Sequence, residues 1–266
     1  MIETPPISSA RIHDAIVQHL VATIDAVRID PVPFSHVALS GVFPGDLYDD
    51  LLANLPAIEH YYADNPKKYG RAAAQMSPAA RPGGLAAPQS CRYLMPLSDE
   101  NLAKLPEPAQ SIWTGVARAL MSGEVKARLF DLFADDLCRR FRTDRAGLAA
   151  MPAHPRPSLI RDLSGYWIEP HPDSPAKIVT LQFYLARDDR QRELGTSLYR
   201  RHLFDPRNLL SLEHLFERVQ QMPFLPNSGY AFPVGRHSWH GREAVPETLG
   251  ERHSILLFYF RDPSRW

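Results

Sequence analysis

Two residues separated by one proline, His171 and Asp173, carry side chains that could hold a divalent metal. In an extended segment residues i and i+2 point to the same face, so the imidazole and the carboxylate can converge on one point. An apolar run, KIVTLQFYLA, follows at once and has the composition of a buried strand. The pair by itself is ambiguous. Pro172 and the Ser174-Pro175 step also suit a surface turn in which Asp173 caps the next segment. A third ligand candidate lies in GRHSWHGREAV, where His237 and His240 are both available.

Two histidines and one carboxylate on one side of an ion leave three adjacent positions open, the facial triad of non-haem Fe(II) oxygenases. Zinc accepts the same donors. Downstream, ERHSILLFYF opens a strand-like run with a charge. Arg252, Ser254, Leu256, Phe258 and Phe260 would share one face of that strand. A guanidinium at the mouth of an apolar interior is costly unless paired, and its fork suits a carboxylate. Glu169 is one internal candidate partner; a dicarboxylate co-substrate is the other. Arg161 is read as a contact to substrate or co-substrate, or as an exposed pair with Asp162. Tyr166, Gln182 and Tyr184 lie on strand-like segments where alternate residues face inward, and plain packing is the competing reading for the aromatics. Arg92 and His237 complete the substrate-facing candidates.

The elements that must position these groups fall into two parts. Residues 1–155 are mostly helical: Ser8–Val27 with a Ser9 cap, a helix opening at Pro44 with Leu47, Leu51, Leu52 and Leu55 on one face, Pro108–Met121, and Ser122–Phe141. FSHVALSGVF (Phe34–Phe43) alternates like a short strand. Strand-like runs then follow at Ser158–Ile168, Ala176–Leu185, Thr196–His202, Gly229–Val234 and Arg252–Phe260, with a helix expected at Ser211–Met222. Helices followed by short strands predict an α+β, mainly β domain: a barrel or sandwich with helices packed on one side and one shared core. Asn65–Ser90, rich in Ala, Pro and Gly without an apolar period, reads as a long loop and a candidate active-site lid.

The 266 residues suffice for one sizeable core. Thirty basic and thirty acidic residues leave no net field to attract nucleic acid or an anionic membrane. Cys91 and Cys138 lack metal-finger spacing and fit a reduced, cytoplasmic setting. Neither a signal peptide nor an 18-residue apolar span is evident. The oligomeric state stays open, a homodimer included.

Taken in order, His171-Pro172-Asp173, His240-Gly241 and Arg252-His253-Ser254 resemble the His-x-Asp, distal His and Arg-x-Ser elements of the 2-oxoglutarate- and Fe(II)-dependent oxygenases, in particular the prolyl-4-hydroxylase-like superfamily. The flanks DSPAKIVTLQFYL, the Gly-Thr-x-Leu segment at Gly195–Leu198 and SWHG are also similar. The close resemblance covers about 158–260, with a looser match at 33–56. It implies one domain over 1–266 whose 156–262 core is a double-stranded β-helix, the cupin-like jelly-roll. It further implies His171, Asp173 and His240 as Fe(II) ligands, with His240 preferred to His237. 2-Oxoglutarate would be held by Arg252 with help from Ser254, and O2 would be consumed with release of succinate and CO2. The retained Asp173 favours hydroxylation over halogenation. A small-molecule substrate (amino acid, sugar or natural-product intermediate) is the expectation; a peptidyl hydroxylase and a non-catalytic cupin-like binding protein are the alternatives. Specificity is expected in the Asn65–Ser90 loop, a Gly195–Asn227 insert and the helical part.

Overall fold

Strand alternation and cross-strand pairing set the frame in which the polar residues meet. The computed structural model describes residues 8–64, 91–202 and 215–264. In chain order the strands are β1 (Val37–Ser40), β2 (Tyr62–Ala63), β3 (Arg92–Pro96), β4 (His154–Asp162), β5 (Ile168–His171) and β6 (Lys177–Tyr184). They continue with β7 (Ser197–Arg201), β8 (Phe216–Gln221), β9 (Ser228–Pro233), β10 (His240–Arg242) and β11 (Arg252–Phe260). Two antiparallel sheets result, a seven-stranded one in the order β1-β9-β6-β11-β4-β3-β2 and a four-stranded one in the order β5-β10-β7-β8.

The larger sheet is covered on both faces. Its odd-numbered side chains, among them Leu159, Leu181, Phe183, Leu257 and Tyr259, share one buried cluster with the helices. The helix Ser9–Ala26 contributes Ile12, Ile16, Leu20 and Ile24, four residues at helical spacing. Its cap is Ser8, whose Oγ accepts from the Arg11 amide, and not Ser9. Ala109–Leu120 adds Trp113, Val116 and Leu120, with no side chain of the three exposed. On the other face, Tyr184, Leu198, Tyr230 and Phe232 form a second buried cluster between the two sheets. Core therefore sits on both sides of β6 and β9, while the second face of β4 and β11 lines a cavity.

Two expectations about helices change. The Ser122–Phe141 segment is two helices, Gly123–Leu132 and Ala134–Phe141, broken where Phe133 leaves helical geometry at φ −98 and ψ 19. Asp135 and Asp136 then occupy the first turn of the second helix, where carboxylates suit the amide-rich end. The expected helix Ser211–Met222 is contradicted over its described part, which is strand β8. Leu215 and Val219 stand at helical spacing, but a ladder with β7 overrides it: Tyr199 pairs with Arg218, and Phe216 packs against Trp239 at 4.8 Å. For the same reason the Gly195–Asn227 stretch is not an insert; its described residues include two strands of the smaller sheet. The single strand read at Ser158–Ile168 is also two elements, β4 beginning earlier at His154 and β5 beginning at Ile168. The Asn65–Ser90 loop lies outside the described residues. No described helix is long and apolar enough to cross a membrane.

Candidate metal centre and its cavity

His171 closes β5 and His240 opens β10, and the two are direct cross-strand partners. Their ring centroids stand 4.5 Å apart. This approach depends on Gly241. A methyl group there would sit 2.8 Å from the Ile168 carbonyl oxygen and 3.1 Å from the Glu169 carbonyl carbon, so any side chain would push β10 off β5. Asp173 lies two residues beyond His171, buried and held from both sides. Lys177 Nζ donates to its Oδ1 at 2.5 Å and Thr180 Oγ1 to its Oδ2 at 2.6 Å. One ligating atom from each of His171, Asp173 and His240 lies within 4.8 Å of the others.

Protonation matches the geometry. The Nδ1 atoms of His171 and His240 stand 2.8 Å from the Glu169 carbonyl and 3.0 Å from the Ser238 carbonyl. A carbonyl only accepts, so each Nδ1 carries the hydrogen and each Nε2 keeps a lone pair. Such an outer partner is what orients a metal-ligating histidine. Burial pushes His171 down to about 4, and the neighbouring His240 and Lys177 act in the same direction. Burial also lowers His240. For Asp173 burial alone would raise the carboxyl, but Lys177, His240 and the Thr180 hydroxyl outweigh it and hold it at about 2. At neutral pH the set is two neutral nitrogens and one carboxylate, which fits a divalent first-row metal.

These shifts predict a pH dependence for the metal-free protein. An unfolded chain protonates histidine near 6.5, whereas folded His171 resists protonation until about 4. Between those values the unfolded state binds more protons, so acidification favours unfolding. His253, also pushed by burial to about 4, adds to the same window. Stability should fall as pH drops from 6.5 towards 4, by up to about 1.4 kcal/mol per pH unit for each such histidine. Urea midpoints at pH 7.5, 5.5 and 4.5 measure it; a constant midpoint contradicts the neutral assignment.

The triad opens onto a cavity of about 670 Å³ lined from both sheets. The even-numbered face of β11 supplies Leu256, Phe258 and Phe260, as strand alternation required. Arg92, Asp162 and Arg252 are register partners across β3, β4 and β11 and form a row of alternating charge. Arg252 Nη1 donates to Asp162 Oδ2 at 2.7 Å, and Arg92 contacts both Asp162 oxygens at 2.6 and 3.0 Å. Burial would raise the Asp162 carboxyl, but the two guanidiniums dominate and lower it. Beside this row a hydrogen-bonded patch is centred on Gln182. It donates to Ser254 Oγ at 2.9 Å, and its Oε1 accepts from Thr196 at 3.2 Å and Tyr230 at 3.0 Å.

Of the sequence candidates, the structure brings His171, Asp173, His240, Arg252, Gln182, Tyr166 and Arg92 to the cavity. The carboxylate that meets Arg252 is Asp162, not Glu169. Ser254 is fully buried and reaches the cavity wall only through Gln182. Arg161 lies on the opposite face of β4, where Glu251, not Asp162, holds its fork at 2.7 and 2.8 Å. Tyr184 is buried behind the wall, accepting at its hydroxyl from the Thr196 amide. His237 is exposed beside Arg236. Lys177, Thr180, Asp162 and Arg242 escaped the sequence reading. For Arg242 the signal was present, since it stands two residues after His240 and so shares its face.

No protein-family model matches the chain, and no curated protein matches it. Among solved structures the chain is similar to a Pseudomonas putida prolyl-4-hydroxylase at 13% identity and TM-score 0.47, covering 91% of this chain and 99% of that one. It is similar to SnoN, a non-haem α-ketoglutarate-dependent epimerase from nogalamycin biosynthesis, at 15% identity and TM-score 0.46, covering 93% and 81%. A third is HygX from Streptomyces hygroscopicus, solved with nickel and 2-oxoglutarate bound, at 13% identity and TM-score 0.45, covering 87% and 84%.

Proposed function

We propose that this protein is an Fe(II)- and 2-oxoglutarate-dependent dioxygenase that hydroxylates an unactivated C–H bond of a small molecule. The observation that carries the reading is the convergence of His171, Asp173 and His240, correctly protonated for metal, on a cavity whose wall also holds Arg252. The fold supports it. Strands β4 to β11 alternate between the two sheets except for the β7–β8 hairpin, an interleaving we read as a double-stranded β-helix. The shared helix–sheet cluster favours one domain over 1–266.

Bound at this centre, ferrous iron with 2-oxoglutarate and O2 would supply the oxidant for hydroxylation, with succinate and CO2 released. His171 and His240 would hold the ion through Nε2 and Asp173 through one oxygen, while Lys177 and Thr180 keep that carboxylate ionised and aimed. Arg252 would anchor the distal carboxylate of 2-oxoglutarate, with the Gln182–Ser254 patch fixing its surroundings. Apolar Leu256, Phe258 and Phe260 exclude water from part of the wall. A volume of about 670 Å³ falls in the range usual for small-molecule sites, roughly 300–1,000 Å³. Anaerobic titration of the protein with Fe(II) and 2-oxoglutarate should develop the weak visible charge-transfer band of the chelate. Absence of the band, together with no succinate formed under oxygen, would overturn the assignment.

A further inference from the structure

Arg242 is the one arginine with a buried side-chain nitrogen, Nε, that finds no partner among the described residues. It is 5% exposed and lines the cavity. Its only described ion-pair contact is loose, Nη1 to Glu243 Oε2 at 3.6 Å. Glu243 is already engaged by Ser197, Tyr199 and Arg218 at 2.8 to 3.3 Å. A buried guanidinium left so poorly paired is expensive unless a ligand completes it. Two neighbours say what that ligand is. Along β10, His240 shares its face one i to i+2 step away, roughly 6.8 Å in an extended strand. From the facing sheet, Arg252 lines the same cavity. Arg252 is itself only partly spent, its Nε on the Leu194 carbonyl and its Nη1 on Asp162.

We propose that Arg242 and Arg252 form a two-guanidinium clamp, one arm from each sheet, on the distal carboxylate of a 2-oxo diacid whose other end reaches the His171–Asp173–His240 centre. The proposal rests on the function proposed above and adds a second anchor to it. The bound carboxylate satisfies the orphaned Nε and screens the two like charges from each other. Arg242 is then a positioning residue that selects for diacids over 2-oxo monoacids.

The test uses full-length protein loaded with Zn(II), titrated calorimetrically with 2-oxoglutarate and with 2-oxopentanoate, which has the same 2-oxo acid head and no distal carboxylate. Wild type should prefer 2-oxoglutarate. Arg242→Gln should weaken 2-oxoglutarate by roughly 10- to 100-fold, and leave Zn(II) and 2-oxopentanoate within about twofold. Arg242→Lys, which keeps the charge, should recover part of the loss. It also decides the matter alone if the glutamine variant fails a melting check. Unchanged 2-oxoglutarate affinity in a folded variant overturns the clamp and leaves the proposed function standing. Equal weakening of both acids overturns it too, since a merely structural role would do that. Wild type that binds neither acid overturns the proposed function and the clamp with it.

Discussion

Asp173→Ala should lower metal affinity by more than roughly a hundredfold and remove succinate formation altogether. The physical reason is charge. Asp173 is the anionic donor of the set, and His171 and His240 contribute only neutral nitrogens. Removing it also takes away the carboxylate that faces the Lys177 ammonium, now 2.5 Å from Oδ1. An incoming dication would then meet two weak ligands and a positive charge. Asp173→Asn separates shape from charge: it keeps a ligating oxygen and should bind metal better than alanine but far below wild type. His171→Ala should behave like Asp173→Ala in turnover, with a smaller loss of affinity because no charge is lost. Metal affinity by calorimetry and succinate release are the measurements. Persistent turnover in either alanine variant shows that the ligands are elsewhere.

Arg252→Ala has the second large expected effect, and it acts on both folding and binding. Arg252 is 1% exposed and Asp162 fully buried, and they face each other at 2.7 Å. Truncating one partner of a buried pair leaves an uncompensated charge, which typically costs about 3–5 kcal/mol. Arg92 still holds both oxygens of Asp162, so the loss should fall at the low end of that range. Binding of 2-oxoglutarate should disappear while metal affinity stays within a few-fold, because no triad residue is bonded to Arg252. Urea unfolding reads the first effect, and separate metal and 2-oxoglutarate titrations the second. A variant that loses metal and 2-oxoglutarate equally has lost its fold generally, and that result removes Arg252 from the co-substrate role.

The pairing of Arg252 with Asp162 bears on how the anchor works. The residue was read as costly unless paired, with an internal carboxylate and a co-substrate as competing partners. The structure supplies an internal partner, yet that partner is shared with Arg92. Arg252 therefore keeps part of its fork and its charge, and the internal pair orients it instead of consuming it.

How much could be read from the chain depended on whether the relevant signal was local. Strand β11 was legible from end to end, and the even-numbered face from Arg252 to Phe260 follows from period-two alternation alone. The same is true of His171 with Asp173, adjacent in sequence and kept on one side by an extended backbone. Motif order then joined them to His240. Strand β4 was not legible in this way. It is buried on both faces, helices on one and the cavity on the other, so Leu159 to Asp162 show no polar side from which to choose. That is why Arg161 was a candidate and Asp162 only its possible partner, although Arg161 is bonded to Glu251 and Asp162 to the cavity-lining Arg92 and Arg252. Strand β8 failed for a related reason: Leu215 just before it and Val219 within it fit a helix, and only the ladder with β7 decides otherwise.

What the sequence by itself determined was therefore the identity and order of the groups that do chemistry and the faces of the strands with a clear period. Tertiary structure decided which charges meet. The register of three strands places Asp162 between Arg92 and Arg252. The close approach of β10 to β5 at Gly241 sets the two imidazoles 4.5 Å apart. The packing of one sheet over the other brings Arg242 towards Arg252 across the cavity. Each of these is a distance between residues far apart in the chain, and electrostatic cost depends on that distance and on burial, neither of which a linear pattern carries.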